Sequence, residues 1–539
     1  MLNSLVEEAF LEGANIVVTP ELATTGFSIT NAEVVGYLGF TDPYPELSFI
    51  RDLAIEYQGY VAIAIAEVTE PDQLVYNTVV LFGPSGLIKT QQKRALSGFH
   101  ERGILPFDVV PTIYGDLGLM ICSDVYLPEW ARTLAIKGAD LVLLPANWWG
   151  SSGQEQIWQT RAQENSIWFF TANRWGTETD TRFDPPYVYD MGDAPSAAIT
   201  PDGEIQLIYR AQDVADPEDT ILYYMVDVPE YRIGNTLNPS YSVNFRRPEA
   251  YNAIANLYYR PDLGNEMVPD LPPDGSTRIA SVAFKPELSP AANLATVEEL
   301  WASSAEAADV VVLPGLGISA FPIDASNPNW YQAEPWADLQ AFIEDHGILL
   351  LVTTALELGG SSGLPQTLVA LRPDEPPLLS RQIHDSLTGL GSGAEPIYLD
   401  LPHARVGLLT GRDLLFPEAS LDLAKSGIDI LVVPSTVGAT QTSHSVNSPS
   451  YFWQPEALLR LWRTRSDQVF HVAASDWTGH GVVIEVTGGI IGNLETSDAT
   501  NPVAALDTIT NSDPFSFDSV RVKFLNAYHP FDLDVLLGN

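Results

Sequence analysis

The chain repeats itself once along its 539 residues. Residues 14–27 (ANIVVTPELATTGF) are similar to residues 308–321 (ADVVVLPGLGISAF), 294 positions later. Residues 118–149 are similar to residues 407–438, 289 positions later, so the order of the motifs is kept and their spacing nearly so. A period this long is far above the roughly 20–50 residues of solenoid repeats. The repeat therefore predicts two domains that share one fold.

Helices and short apolar strands alternate within each copy. In the first copy we expect helices at residues 5–11, 47–58 and 128–138, and strands at residues 15–19, 60–68, 118–122 and 140–145. The apolar runs are typical of strands that are buried on both faces. Alternation of this kind predicts an α/β protein in which helices cover the sheets.

A Pro- and Asp-rich stretch separates the two copies. We expect a first domain over residues 1–260, a linker over residues 261–277 and a second domain over residues 278–539. The second copy begins with an apolar strand at residues 278–284, ahead of its first helix, whereas the first copy begins at that helix. We therefore expect the opening strand of the first copy to be missing from this sequence. Either a partner supplies it or the true start lies upstream, together with any signal peptide.

The low content of basic residues limits the partners of this protein. The chain carries 27 Lys and Arg against 69 Asp and Glu, a formal net charge of −42. Such a surface repels phosphate backbones and anionic membranes, so we expect no nucleic-acid partner. No apolar run reaches the ~20 residues of a membrane helix, so we expect no membrane span. The composition favours an extracellular or cell-surface location over the cytoplasm, although a saline or acidic habitat would select a similar one.

Cys122 is the only cysteine of the chain. A single cysteine excludes an internal disulfide framework and a cysteine-cluster metal site. This one ends the expected strand at residues 118–122, and strand ends are where α/β folds collect functional side chains. Two interpretations compete: a small buried hydrophobic side chain, which is the usual role of an isolated cysteine, and a catalytic nucleophile.

Five motifs favour the nucleophile because they occur together and in a fixed order. They are VVTPELATTGF, KRALSGFHERG, GLMICSDVYLPEW with GADLVLLPANWW, TRAQENSIWFFTANRWG and PSAAITPDGEI, within residues 17–27, 93–103, 118–149, 160–176 and 195–205. With this set the first copy resembles the nitrilase, or carbon–nitrogen hydrolase, superfamily over nearly all of residues 1–260. The resemblance implies an α/β fold of two tandem four-layer αββα sandwich domains.

The resemblance also implies a role for four residues of the first copy. Cys122 is expected to be the nucleophile, Glu21 the general base and Lys93 the group that stabilises the oxyanion. Glu101 is expected to be a second glutamate that positions the others. Lys89 is the alternative lysine, but the register of the motif that follows favours Lys93.

These residue types suit the cleavage of an amide bond. An amide carbonyl reacts with a thiolate once a nearby base removes the thiol proton. A carboxylate buried among apolar strands has a raised pKa and can exchange that proton near neutral pH. The negative oxygen of the tetrahedral intermediate is expected to bind the Lys93 ammonium and the backbone N–H of Ser123. The expected reaction passes through an acyl-thioester that water hydrolyses, and it requires no metal or organic cofactor.

Three residues that follow the strand at residues 140–145 are expected to contact the substrate, by their place in the family pattern: Asn147, Trp148 and Trp149. The alternative is that they only fill the core and a turn. The Cys–Ser–Asp triplet at residues 122–124 resembles the Cys–x–Asp of amidases and carbamoylases more than the Cys–Trp–Glu of nitrilases. We therefore expect a small amide or carbamoyl substrate, and acyl transfer to an amine would use the same residues.

The second copy has lost the expected catalytic residues. In the alignment of the two copies, Gly315 stands at the position of Glu21 and Gly411 at that of Cys122. Lys93 aligns with His384. We therefore expect a catalytically inactive domain that supports the fold or the assembly. This supports a second hypothesis: a structural or filament-forming surface protein whose activity is vestigial. Both hypotheses allow a homo-oligomer, including a helical or filamentous one.

Overall fold

The computed structural model describes most of the first copy and, with more gaps, the second. The described residues are 1–95, 100–149, 154–228, 243, 246–251, 272–273, 275–302, 308–318, 322–358, 366–384, 393, 395–411, 413–436, 455–466, 471–477, 481–484 and 503–511. The chain divides into two units, Met1–Val243 and Asn244–Asn539. Each unit is an α/β structure with two main sheets.

The first sheet of the first unit has the strand order β1-β2-β3-β4. Its strands are Ile16–Val18, Tyr60–Val68, Val75–Gly83 and Gly86–Gln92. Strands β1 and β2 are parallel, and the other neighbours are antiparallel. Every residue of β2 is buried, which agrees with its unbroken apolar sequence.

The second sheet of this unit has the strand order β11-β10-β7-β6-β5. Strands β5 to β7 are parallel and span Leu117–Leu119, Leu141–Ala146 and Trp168–Asn173. Strands β10 (Ser196–Ile199) and β11 (Ile205–Tyr209) continue the sheet in antiparallel fashion. A separate hairpin pairs β8 (Thr177–Asp180) with β9 (Tyr187–Asp190).

Helices cover the outer face of each sheet. The helices Leu2–Leu11 and Ser48–Glu56 pack on the first sheet through apolar side chains that include Val6, Phe10, Ile50, Leu53, Val61, Ile63 and Ile65. The helices Pro128–Ile136 and Gln154–Asn165 cover the second sheet. The inner faces of the two sheets contact each other through β2 and β6, so the layers follow the order αββα.

The second unit repeats this arrangement. Its first sheet has the order β16-β15-β14-β13-β12-β22, and its strands are Gly275–Ala283 (β12), Val310–Gly315 (β13), Leu350–Leu356 (β14), Gln366–Leu371 (β15), Leu378–Arg381 (β16) and Val503–Asn511 (β22). Its second sheet has the order β17-β18-β19-β20-β21, and its strands are Ile397–Asp400, Arg405–Leu408, Ile430–Pro434, His471–Ser475 and Gly481–Ile484. The described helices are Pro290–Leu300, Trp336–His346, Pro417–Lys425 and Pro455–Ser466.

Alternation along β13 shows how the core of this unit is built. Val310 and Val312 pack between the two sheets, whereas Val311 and Leu313 pack on the side of the helix Trp336–His346. Successive strand residues point to opposite faces, so a continuous apolar run fills both layers of the core.

The ends of the two copies differ in the structure. Strand β1 lies at the edge of its sheet, whereas its counterpart β13 lies between β12 and β14. The described part of the first unit contains no counterpart of β12.

The predicted linker is only partly described. Within it, residues 261–271 and 274 lie outside the described residues, and residues 275–277 already belong to β12.

A short segment beyond the division at residues 243 and 244 packs within the second unit. The guanidinium of Arg247 donates to the carbonyl oxygens of Ile383, at 3.1 Å, and Gly393, at 2.7 Å. The Tyr251 hydroxyl and the His384 Nε2 atom are hydrogen-bonded at 2.6 Å. The observed division thus falls inside the predicted first domain of residues 1–260.

Candidate active site

Cys122 lies in a tight turn rather than at the end of a strand. Strand β5 ends at Leu119, three residues earlier than the pattern predicted, and a 3-10 turn spans Cys122–Tyr126. The φ angle of Cys122 is +44°, a left-handed conformation that non-glycine residues rarely adopt. Such strain is typical of functional positions, because the turn presents one side chain away from the sheet.

Glu21 is fully buried beyond the end of β1 and accepts three hydrogen bonds. Its Oε1 atom accepts from the Lys93 ammonium at 2.6 Å and from the Asn77 carboxamide at 2.7 Å. Its Oε2 atom accepts from the backbone N–H of Asn147 at 3.0 Å. Two sheets therefore hold this carboxylate, because Asn77 lies on β3 and Asn147 follows β6.

Lys93 follows β4 directly and is fully buried with Glu21. Burial by itself would lower the pKa of Lys93, but the Glu21 carboxylate and the neighbouring Cys122 raise it overall. The lysine is therefore charged at neutral pH. The alternative lysine, Lys89, lies within β4, and its Nζ atom is 3.9 Å from the carboxylate of Asp108.

The Cys122 thiol belongs to the same cluster. Burial raises its pKa well above the usual range, and the nearby Glu21 carboxylate raises it further, against an opposing effect of Lys93. The backbone N–H of Asn147 lowers the pKa of the thiol, so Glu21, Lys93 and Asn147 all lie close enough to act on it. The resting group is therefore a neutral thiol near a carboxylate, and a thiol becomes a strong nucleophile only when its proton is removed.

Two further residues of this cluster were not found from the sequence. Asn77 donates to Glu21, and Asp124 accepts backbone N–H groups from the segments that carry Lys93 and Cys122. Burial raises the pKa of Asp124 to about 6, against the opposing effect of these N–H groups. The sequence alone could have indicated Asp124, because the second copy also has an aspartate, Asp413, at the matching position.

The structure does not bring every predicted site residue into this cluster. The side chain of Glu101 is exposed and, among the described residues, makes no hydrogen bond or ion pair with Glu21, Lys93 or Cys122. Ser123 lies in the turn next to the cysteine, and its buried Oγ atom has no hydrogen-bond partner in the described part of the chain.

The three predicted substrate contacts lie where β6 ends. The side chain of Asn147 is fully buried, and neither polar atom of its carboxamide has a hydrogen-bond partner among the described residues. The ring of Trp148 lies 5.0 Å from that of Tyr126, in the cysteine turn. The ring of Trp149 packs instead on Phe27, at 4.9 Å. Asn147 is the member of this group that touches Glu21.

Hydrogen bonds identify the matching positions of the second unit. The N–H of Glu21 donates to the carbonyl of Ala146, and the N–H of Gly315 donates to that of Ser435. Likewise, the N–H of Gly103 donates to the backbone carbonyl of Lys93, and the N–H of Gly393 donates to the backbone carbonyl of Gln382. The alignment of Lys93 with His384 was therefore wrong: Gln382 replaces the lysine, and His384 matches Ala95. The correct spacing is 289 residues, the same as between Cys122 and Gly411.

Within the described residues, no group of three or more His, Cys, Asp or Glu side chains is arranged to hold a metal ion. None of the described helices is both long enough and apolar enough to cross a membrane.

The four-layer αββα sandwich with a buried thiol, carboxylate and ammonium is an arrangement that suits hydrolysis. The chain belongs to the carbon-nitrogen hydrolase family, whose profile matches residues 2–230 and 278–493. The two matches fall on the two copies of the repeat, so the duplication predicted from the sequence is confirmed.

The individual relatives reported next each match less than half of this chain. The nitrilase of Pyrococcus abyssi (strain GE5 / Orsay) is 36% identical over 184 residues, which cover 33% of this chain and 69% of the relative. The N-carbamoylputrescine amidase of Arabidopsis thaliana is 25% identical over 277 residues, which cover 47% of this chain and 88% of the relative. An amidase from Nesterenkonia sp. of known crystal structure shares 23% identity with a TM-score of 0.34, over 39% of this chain and 78% of its own.

Proposed function

We propose that the first copy hydrolyses the carbon–nitrogen bond of a small amide or carbamoyl compound through an acyl-thioester on Cys122. The observation that carries the proposal is the buried ion pair of one carboxylate and one ammonium, together with a buried thiol close enough for both to act on its pKa, in a single copy. The second copy lacks all three groups, since Gly315, Gln382 and Gly411 stand in their places.

The first step forms the thioester. Glu21 removes the thiol proton while Sγ of Cys122 attacks the substrate carbonyl carbon, and the carbonyl oxygen becomes negative. The Lys93 ammonium stabilises this oxygen, with the backbone N–H of Ser123 as the expected second donor. The carbon–nitrogen bond then breaks, and the nitrogen leaves as ammonia or an amine with the proton from Glu21.

The second step hydrolyses the thioester. Glu21 removes a proton from water, whose oxygen attacks the thioester carbonyl carbon. The carbon–sulfur bond breaks and the proton returns to the sulfur, so the thiol is restored and a carboxylic or carbamic acid leaves. Both steps use the same carboxylate and the same ammonium, which fits a carboxylate that is held rigidly by three hydrogen bonds.

Amides and carbamoyl compounds are preferred over nitriles for two reasons. The sequence Cys–Ser–Asp follows the amidase pattern. In addition, one relative that aligns over 88% of its own length is named an N-carbamoylputrescine amidase. The strongly negative chain also favours neutral or cationic substrates.

The test measures ammonia release from a panel of small amides, ureido compounds and nitriles. Because Cys122 is the only cysteine, the mass gained with iodoacetamide reports on this thiol alone. We expect the wild type to turn over an amide or ureido compound and the Cys122→Ala variant to turn over none. We also expect the activity of the wild type to fall in proportion to the fraction of Cys122 that is alkylated. An intact wild-type protein that turns over none of the panel would overturn the proposal.

We propose a structural role for the second copy, because its fold is kept although the three reacting groups are gone. It is expected to support homo-oligomers, including helical or filamentous ones. Electron microscopy of the full chain tests this role, and particles of compact monomers or dimers alone would argue against filaments.

A further inference from the structure

Asp124 joins the two chain segments that carry Lys93 and Cys122. Its Oδ1 atom accepts the backbone N–H groups of residues 94 and 95, both at 2.9 Å. Its Oδ2 atom accepts the N–H of Ile121 at 3.0 Å. Residue 94 follows Lys93 and Ile121 precedes Cys122. One carboxylate is therefore hydrogen-bonded to both segments, next to the residues that are proposed to react.

Stability alone does not explain this carboxylate. Asp124 is fully buried, and its pKa is raised to about 6 by burial in spite of the three N–H groups. Keeping it ionised at neutral pH therefore costs folding free energy, because the charged form is the disfavoured one. A residue that is kept at such a cost is expected to serve geometry.

The second copy contains the same connection. Asp413 accepts the N–H of Ile383 at 3.1 Å and that of His384 at 2.9 Å, and it also accepts the Thr410 hydroxyl at 2.9 Å. Asp413 and its two N–H donors each lie 289 residues beyond their counterparts in the first copy. The connection therefore sets how the two segments lie in this fold, with or without catalytic groups on them.

We propose that Asp124 is a positioning residue that holds Lys93 at the place relative to Cys122 that the hydrolysis requires. This inference rests on the proposed function and assigns a residue to it. Only in the first copy do the two connected segments carry reacting groups, so only there does a shift matter for chemistry. A misplacement of about 1 Å can cost roughly 100-fold in rate.

The matched variants Asp124→Asn and Asp413→Asn test the proposal in the full chain. The asparagine keeps an oxygen for residues 94 and 95 but turns an NH₂ group toward the N–H of Ile121. We expect kcat of D124N to fall at least about tenfold with KM within about threefold, because the chemical step and not binding is affected. For D413N, which removes the same connection in the copy without the cysteine, we expect kcat within about twofold of the wild type.

The variant Asp124→Glu separates charge from position, because it keeps the carboxylate but displaces it by one methylene. We expect D124E to lose kcat as D124N does. Circular dichroism and the unfolding midpoint show whether each variant is folded. Folded D124N and D124E with wild-type kcat would overturn the inference and leave the proposed function intact. If no Asp124 variant folds while D413N does, the residue serves stability and the inference is also wrong. A wild-type protein without turnover would overturn the proposed function and the inference together.

Discussion

The Nζ atom of Lys93 lies 2.6 Å from the Oε1 atom of Glu21, and both side chains are fully buried. Each charge is tolerated in the interior because the other is present, and Asn77 and the backbone of Asn147 complete the hydrogen bonds of the carboxylate. Removal of either partner leaves an uncompensated buried charge, which is far more costly than the pair itself. The two residues are therefore coupled in stability as well as in the proposed chemistry.

Replacement of Lys93 by Met removes the ammonium and leaves Glu21 buried without its ion-pair partner. We expect loss of turnover and a decrease in the free energy of unfolding of about 3–5 kcal/mol, measured by urea denaturation. Lys89→Met is the matched control, because that lysine is partly exposed and its Nζ atom lies 3.9 Å from the carboxylate of Asp108. Its effect on stability is expected to be about 1 kcal/mol or less. Equal effects of the two variants would contradict the pairing.

Replacement of Glu21 by Gln keeps the shape of the side chain but removes the base. We expect kcat to fall by about 10²- to 10⁴-fold, because the thiol proton no longer has an acceptor. Glu67→Gln is the control, since Glu67 is also buried in the first unit but bonds to Tyr44 and Thr78 instead of the cluster. Turnover of both variants is measured with the amide that the wild type prefers. A Glu21→Gln variant with wild-type kcat would exclude this residue as the base.

Alkylation of Cys122 should depend on pH in the manner of a buried thiol. Because burial raises its pKa, little thiolate is present at neutral pH in the resting protein. We expect the rate with iodoacetamide to continue to rise beyond pH 8.5, about the pKa of a free thiol, rather than to level off there. A plateau below that pH would show a thiolate stabilised by Lys93 in the resting state.

The charge of Asp124 should also make stability depend on pH. Its pKa is raised from 3.8 to about 6 in the folded chain, so the protonated form is favoured on folding. The contribution of the Asp124 carboxyl to the free energy of unfolding is therefore fully present below about pH 4, and it is lost as the pH rises through about 6. We expect the stability of the wild type relative to D124N to fall over this interval, as measured by urea denaturation at each pH. A difference that is independent of pH would show that the carboxyl is not titrating there.

The second copy should resist the return of a catalytic site. A Cβ atom on Gly315 would lie 2.7 Å from Cγ2 of Thr436 and 2.8 Å from the backbone carbon of Ser435. A Cβ atom on Gly411 would meet its nearest neighbour at 3.3 Å. We therefore expect Gly315→Glu to lower the free energy of unfolding by about 1–3 kcal/mol or more, and Gly411→Cys to fold.

The Cys122→Ala/Gly411→Cys double variant extends this test, because its single thiol lies in the second copy. We expect no turnover of the preferred amide, since Gly315 and Gln382 stand in the places of Glu21 and Lys93. Turnover by this variant would show that the second copy had kept a functional site.

Local patterns in the sequence were sufficient for the layers of the fold. The strand Tyr60–Val68 has the bounds that its apolar run predicted, and the helix at residues 128–138 differs from the prediction only at its end. Hydrophobic periodicity predicts such elements because burial of a strand or helix face depends on residues that are close together in the chain. The repeat then extended the same layers to the second half of the chain.

Sequence alone could not establish which polar side chains meet. Glu21 touches Lys93 across 72 positions and the backbone of Asn147 across 126, distances over which no periodicity carries information. Resemblance to a family supplied the expected catalytic residues, and these included Glu101, which the structure leaves exposed. The counterpart of Lys93 was likewise misplaced by two residues, because only backbone hydrogen bonds identify Gln382.

The sequence by itself determined the duplication, the α/β layers and the loss of cysteine and glutamate from the second copy, since these follow from residue identity and local pattern. Only the tertiary structure decided that Cys122 lies in a strained turn, that Lys93 and Glu21 form a buried pair, and that Asp124 connects the segments that carry Lys93 and Cys122. The physical reason is that a buried charge is stable only among partners that the fold brings from distant parts of the chain.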